Sequence, residues 1–278
     1  MIAAAAREQE NGWNSEQHPG QDRTQLREQG ENREQDRELN WTKDREAEAG
    51  RDSAEPLLEV RDVRRRFPSG GREVEVLKGV ELQIFSGKLT MLRGRSGSGK
   101  TTLLNLLGGL DRPTAGEVWF RGRPMHRWSD RQLTKLRRRE IGFIFQSCAL
   151  LPLLSAWENV VLSLRMAGAP RAEWEQRAAY CLDLVGLAKR AQHRPSEMSG
   201  GEQQRVAIAK AIAHRPHLLL ADEPTAELDS QIAGQVIRAF RSIIEAEGIA
   251  ICMTTHDSTL WEAADVVYRM VDGRIAQA

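Results

Sequence analysis

Residues 94–102 read Gly-Arg-Ser-Gly-Ser-Gly-Lys-Thr-Thr, a G-x-x-x-x-G-K-T spacing whose residue types suit phosphate chemistry. Gly94, Gly97 and Gly99 let the backbone curl so that successive N–H groups point at phosphate oxygens, with Arg95, Ser96 and Ser98 between them. Lys100 brings a positive charge to the outer phosphates, the Thr101 hydroxyl is suited to ligate Mg²⁺, and Thr102 follows at the start of the next element. Residues 88–92 before the loop are β-prone. Residues 103–107 after it begin a helix, whose N-terminal dipole favours an anion.

Two further clusters narrow the chemistry. The run Leu218-Leu-Leu-Ala-Asp-Glu-Pro224 is an apolar strand ending in two carboxylates. Asp222 would hold Mg²⁺ through water, and the adjacent Glu223 would polarise an attacking water. In Met198-Ser-Gly-Gly-Glu-Gln-Gln-Arg205, Ser199, Gly200 and Gly201 offer a hydroxyl and close backbone N–H groups at a helix start. The first phosphate loop already has its own helix, so this second anion-binding terminus must serve another phosphate.

In these segments the chain resembles the ABC-type ATPases, over residues 57–278. The resemblance implies an α/β P-loop NTPase fold: a RecA-like parallel core, an antiparallel β subdomain and an inserted α-helical subdomain near residues 147–213. It implies ATP and Mg²⁺ as cofactors and ATP hydrolysis as the activity. Ser199, Gly200, Gly201 and Glu202 would cap the γ-phosphate of ATP bound to the opposite subunit of a homodimer. Gln146, in Ile144-Phe-Gln146, matches the glutamine that reaches Mg²⁺ and the attacking water. Asp229, in Ala226-Glu-Leu-Asp229, matches the aspartate at the dimer interface. His256, in Thr254-Thr-His-Asp257, matches the histidine that contacts the γ-phosphate and orients Glu223. Phe67, before a Pro-Ser-Gly turn, matches the aromatic that stacks on adenine, although a Phe at a strand end also serves as core.

Among these ATPases the chain looks most like the lipoprotein-releasing, macrolide-exporter and FtsE types. The markers are Val76-Leu-Lys-Gly79, residues 108–116, residues 141–146, Glu158-Asn-Val160 and residues 199–205. Arg93 replaces the usual apolar residue, Ala226-Glu-Leu-Asp229 replaces Gly-Asn-Leu-Asp, and Glu202 stands where many relatives carry Gln. The resemblance implies a separate integral-membrane permease, powered for export, with the ATPase held on the inner face of the membrane. The alternative is an FtsE-like ATPase that regulates a cell-envelope process through its membrane partner. A soluble ABC protein of translation or DNA repair usually carries two cassettes or a long coiled coil, which this chain lacks.

The elements that must position these groups are legible as patterns. Residues 57–63 and 80–84 alternate as half-buried strands, with a turn at Pro68-Ser-Gly-Gly71. Strands are expected at 116–122, 141–145, 218–221 and 249–253, and residues 266–275 finish the chain with a turn at Asp272-Gly273. Helical patterns occupy 130–139, 157–166, 171–185, 202–213, 230–246 and 258–264. Together they predict a parallel α/β core with antiparallel strands in front and a helical insertion.

The composition is that of a globular chain, 40% hydrophobic and 28% charged. No apolar run is long enough for a membrane span, which predicts a cytosolic chain. Residues 1–55 hold 14 acidic and 8 basic side chains, leaving 32 basic and 25 acidic in the rest. The first 54 residues have few apolar side chains, so a disordered charged tail is expected ahead of one domain at 55–278. Only 7 of the 40 basic residues are Lys, an Arg bias read as codon composition, and no nucleic acid is expected. Cys148, Cys181 and Cys252 are spaced as reduced thiols without zinc-ligand spacing. His214 and His217 read as a solvated turn, and residues 137–139 as a wet basic face. For Leu150, Leu153 and Trp157 the resemblance implies a groove that receives a helix of the membrane subunit, while core packing of the helical insertion is the alternative.

Overall fold

A computed structural model describes residues 55–276, so the tail expected at 1–54 lies outside the described residues. The first sheet is antiparallel, in the order β2-β1-β4-β5. Its strands are β1 (Leu58–Ser69), β2 (Arg72–Ile84), β4 (Ala115–Phe120) and β5 (Arg123–Pro124). β1 and β2 run well beyond the segments that alternate. Across the added length Arg66 lies 3.5 Å from Glu75 and 3.8 Å from Glu73, so opposite charges hold a polar stretch in the ladder. Pro68 and Ser69 therefore belong to the strand. The turn contracts to Gly70-Gly71, both with positive φ (55° and 79°), as a two-residue hairpin loop requires.

The second sheet runs β10-β9-β3-β8-β7-β6. β3 (Leu89–Arg93), β6 (Ile141–Ile144), β7 (Leu218–Ala221), β8 (Ala250–Thr255) and β9 (Val266–Val271) are parallel, and β10 (Arg274–Ala276) closes antiparallel on β9. β7 and β8 are buried along their whole length, as central parallel strands covered on both faces are. The helices are α1 (Lys100–Leu107), α2 (Asp130–Arg139), α3 (Ala156–Ala167), α4 (Trp174–Leu184), α5 (Gly200–Ile212) and α6 (Ser230–Glu247). α2, α3 and α5 each open on a reciprocal cap, Ser129 with Gln132, Ser155 with Glu158 and Ser199 with Glu202. The pattern at 171–185 starts with a 3₁₀ turn, Arg171–Glu173, before α4. The segment expected as a helix at 258–264 is 3₁₀ (Ser258–Ala263). It is fixed by the Asp257 carboxylate, which accepts from the Thr259 N–H and hydroxyl, and is too short to propagate.

Arg177 of α4 ties the far ends of two helices together. Its guanidinium, 5% exposed, donates to the carbonyls of Ile212 (2.8 Å) and Ala213 (2.9 Å) at the end of α5, and pairs with Glu247 at the end of α6. Two expectations fail here. His214 is buried with its ring against the Ile141 carbonyl, and His217 sits 3.2 Å from Glu140, because β6 and β7 pair just beyond them. Arg137 donates to the Gly109 carbonyl and Arg138 to the Met166 carbonyl at the end of α3, so this basic face is partly spent on closing neighbouring turns.

Candidate functional site

Parallel strands open a crevice at their carboxyl ends. Here Ile144 is in register with Ala221, Ala221 with Met253, Leu92 with Thr254 and Arg93 with Thr255. Gln146, Asp222, Glu223, His256 and the glycine-rich loop therefore all leave the sheet along one edge.

The loop between β3 and α1 is shaped by close approaches. Gly99 has φ 103°, a left-handed conformation that favours glycine. Gly94 needs the absence of a side chain for another reason: a Cβ there would lie 2.5 Å from the Met270 carbonyl oxygen. The turn after β9 clasps the loop, since the Gly273 N–H donates to the Ser98 carbonyl (3.1 Å). Among the described residues no side chain caps α1, which leaves its first N–H groups for an anion, and none partners the buried Ser98 hydroxyl. Lys100 is 5% exposed; its Nζ donates to the carbonyls of Gly94 (2.9 Å) and Arg95 (3.2 Å) and lies 3.3 Å from a Glu223 carboxylate oxygen. Thr101 is exposed and Thr102 half-buried in the first turn.

The carboxylates are held from below. The Asp222 N–H donates to the Ile144 carbonyl (2.8 Å). The Thr254 hydroxyl donates to Asp222 Oδ1 (2.7 Å) and accepts the Glu223 N–H (2.7 Å). Glu223 itself has φ 44°, an uncommon left-handed geometry at a non-glycine residue. Its two carboxylate oxygens are divided between Lys100 and His256, whose Nδ1 is 3.0 Å away. The result is a cation–carboxylate–imidazole line at the mouth of the phosphate loop. Gln146 is exposed two residues beyond β6.

The start of α5 is built differently. Ser199 caps the helix through its hydroxyl, and Glu202 accepts the Ser199 N–H (2.9 Å) and the Arg190 Nε–H (3.1 Å). The Ser199 amide holds the Glu202 carboxyl below the usual range. Glu202 thus acts on the cap. Gly200 is exposed with open space beside it, while Gly201 is buried where a Cβ would meet Ile232 at 2.4 Å. Asp229 accepts the Ile232 N–H (2.9 Å) and caps α6, so Ser199 and Asp229 head two packed helices.

A cleft of about 670 Å³ flanks the phosphate loop, lined by Arg93, residues 94–98, His256, Trp261, Arg269 and Asp272 among others. Ser199, Gly200, Gly201, Glu202, Asp229 and Phe67 do not line it. Phe67 is half-buried near the end of β1, with the Arg65 guanidinium 4.3 Å from its ring centre. Sequence reasoning missed Thr254 as a site residue, although the Thr254-Thr255 pair that closes an otherwise apolar strand is a usable signal. It also missed Trp261, on which Arg93 stacks at 4.0 Å.

The sequence model of the ABC transporter family matches residues 77–226. The chain is 45% identical to the lipoprotein-releasing system ATP-binding protein LolD of Maricaulis maris, over 79% of this chain and 96% of that one. It is 46% identical to the macrolide export ATP-binding/permease protein MacB of Wolinella succinogenes, over 79% of this chain and 34% of that longer protein. Its structure resembles the dimeric ATP-binding cassette MJ0796 in a post-hydrolysis state bound to ADP and Pi. The TM-score is 0.73 at 37% identity, covering 80% of this chain and 97% of the other.

Proposed function

The chain belongs to the ABC transporter family as an ATP-binding subunit with ATPase activity, and on that premise we propose how its residues divide the work. Two copies pair over two ATP molecules, each nucleotide lying between residues 94–102 of one copy and Ser199, Gly200 and Gly201 of the other. The observation that carries this reading is the line Lys100–Glu223–His256. Phosphate oxygens compete with the Gly94 and Arg95 carbonyls for Lys100, and its departure leaves Glu223 to take a proton from water. His256 holds the carboxylate in that direction. The bare N–H groups at the start of α1 hold the phosphate chain in place.

Mg²⁺ fits the donors on this edge. Among the described residues no three His, Cys, Asp or Glu side chains cluster as a metal cage, whereas Mg²⁺ favours one carboxylate with hydroxyls, waters and substrate phosphates. Asp222, Thr101 and Gln146 would hold it. When bound it supplies charge neutralisation on the transferring phosphoryl group.

Among the described residues no helix is long and apolar enough to cross a membrane. Likeness to the ATP-binding protein of a lipoprotein-releasing system supports an integral-membrane permease as partner, with this chain peripheral on its inner face. Its docking place is the groove lined by Leu154, Trp157, Val161, Arg165 and Trp174, beside Leu151 and Leu153, which are 46% and 79% exposed. Glu223→Gln tests the chemistry. ATP binding should persist, turnover should fall at least a hundredfold, and the dimer should accumulate on size exclusion. Full turnover would refute Glu223 as the base.

A further inference from the structure

We propose that Arg93 and Arg269 form a receptor for the Glu227 carboxylate of a second copy of this chain, an ion pair made twice across the dimer. The proposal rests on the reading that two copies pair over the nucleotide. Arg93 and Arg269 are register partners on the parallel strands β3 and β9, and both line the cleft beside the phosphate loop with Arg95 and His256. The Arg93 guanidinium lies 4.0 Å from the Trp261 ring centre, so one face is covered and its plane is fixed. Its Nε is buried and has no hydrogen-bond partner among the described residues. Among the described residues none of Arg93, Arg95 and Arg269 forms an ion pair. The carboxylate that does line this cleft is that of Asp272, at the β9–β10 turn. Guanidinium groups held side by side repel one another, and a stacked one presents a flat fork of donors that matches a carboxylate.

Glu227 supplies the complementary charge. It is exposed in the loop between β7 and α6, whose turns are closed by Ala226 N–H to the Glu223 carbonyl (3.1 Å) and Leu228 N–H to the Thr225 carbonyl (3.2 Å). Asp229 spends an oxygen on capping α6, whereas Glu227 has no ion pair among the described residues. The cavity beside this loop shares only His256 with the arginine-lined cleft. A two-fold axis makes the contact reciprocal, so one residue pair serves both halves of the interface. Arg93 and Glu227 are also two positions at which the chain departs from the resembled pattern, and they do so with opposite charge.

The test is a mutant cycle on ATP-driven dimerisation, read by sedimentation in the Glu223→Gln background. Arg93→Leu, which keeps an apolar contact for Trp261, and Glu227→Gln should each raise the dimer dissociation constant about tenfold. The double variant should be no weaker than the weaker single, and the parent should lose dimer with salt more steeply than the double. Arg269→Gln, on an exposed side chain, should repeat the Arg93→Leu effect. Additive losses, or unchanged dimerisation, would overturn the ion pair while leaving the dimer intact. A parent that stays monomeric with ATP would overturn the dimer reading itself, and this inference with it. If Arg93→Leu weakens ATP binding by the monomer and leaves dimerisation alone, the arginines serve a nucleotide phosphate and the proposal fails.

Discussion

The Glu223 N–H and the Thr254 hydroxyl are 2.7 Å apart, and the same hydroxyl donates to Asp222 at 2.7 Å. One side chain on β8 thereby fixes the Asp222 carboxylate and the Glu223 backbone, two consecutive residues just beyond β7. It also holds Glu223 in its left-handed backbone conformation, φ 44°. The carboxylate then points between Lys100 and His256 because its own backbone has no freedom to turn.

Thr254→Val keeps the shape of this contact and removes both hydrogen bonds. Turnover should fall by about tenfold or more, with KM for ATP little changed, since the loss falls on positioning. Steady-state kinetics check this; an unchanged kcat would show that Thr254 only packs.

Ser199→Arg places a long cation where the start of α5 is exposed. Monomeric chains should bind ATP with unaltered affinity by calorimetry, yet hydrolysis should stop. Persistent hydrolysis would mean that one copy holds a whole site.

The Glu202 carboxyl is held low by the Ser199 amide, with Arg190 adding attraction. A depressed native pKa contributes stability above the unfolded value of about 4.3, and that contribution is lost as pH falls through the native one. Glu202→Gln keeps an acceptor for the cap but does not titrate. Melting temperatures should therefore fall less for Glu202→Gln than for the parent between about pH 6 and pH 3. Parallel curves would contradict the role given to Glu202.

Glu247→Ala leaves the Arg177 guanidinium buried at the ends of α5 and α6 without its carboxylate. Stability should drop by about 3 kcal/mol in urea denaturation. If the loss were within the range of a surface substitution, the pair would not be what anchors α4.

Chemistry confined to a short stretch was legible in the chain itself. Nine consecutive residues, 94–102, carry the phosphate loop, and Ser199 with Glu202 carries a helix cap, because each set of partners lies within a few bonds along the backbone. The buried strands were legible as continuous apolar runs, since β7 is apolar throughout and β8 up to its closing Thr254-Thr255. What tertiary structure decided are contacts between residues far apart in sequence. Thr254 meets Asp222 across two strands, Arg93 finds Trp261, and Glu75 draws Arg66 into a strand that shows no alternation of its own. Burial of His214 belongs with these, because the pairing of β6 with β7 encloses a segment that reads as solvated. Spacing along a chain encodes the geometry of a loop or a helical turn. It does not encode which strands pair, and that pairing sets the register on which the carboxylate, the imidazole and the phosphate loop converge.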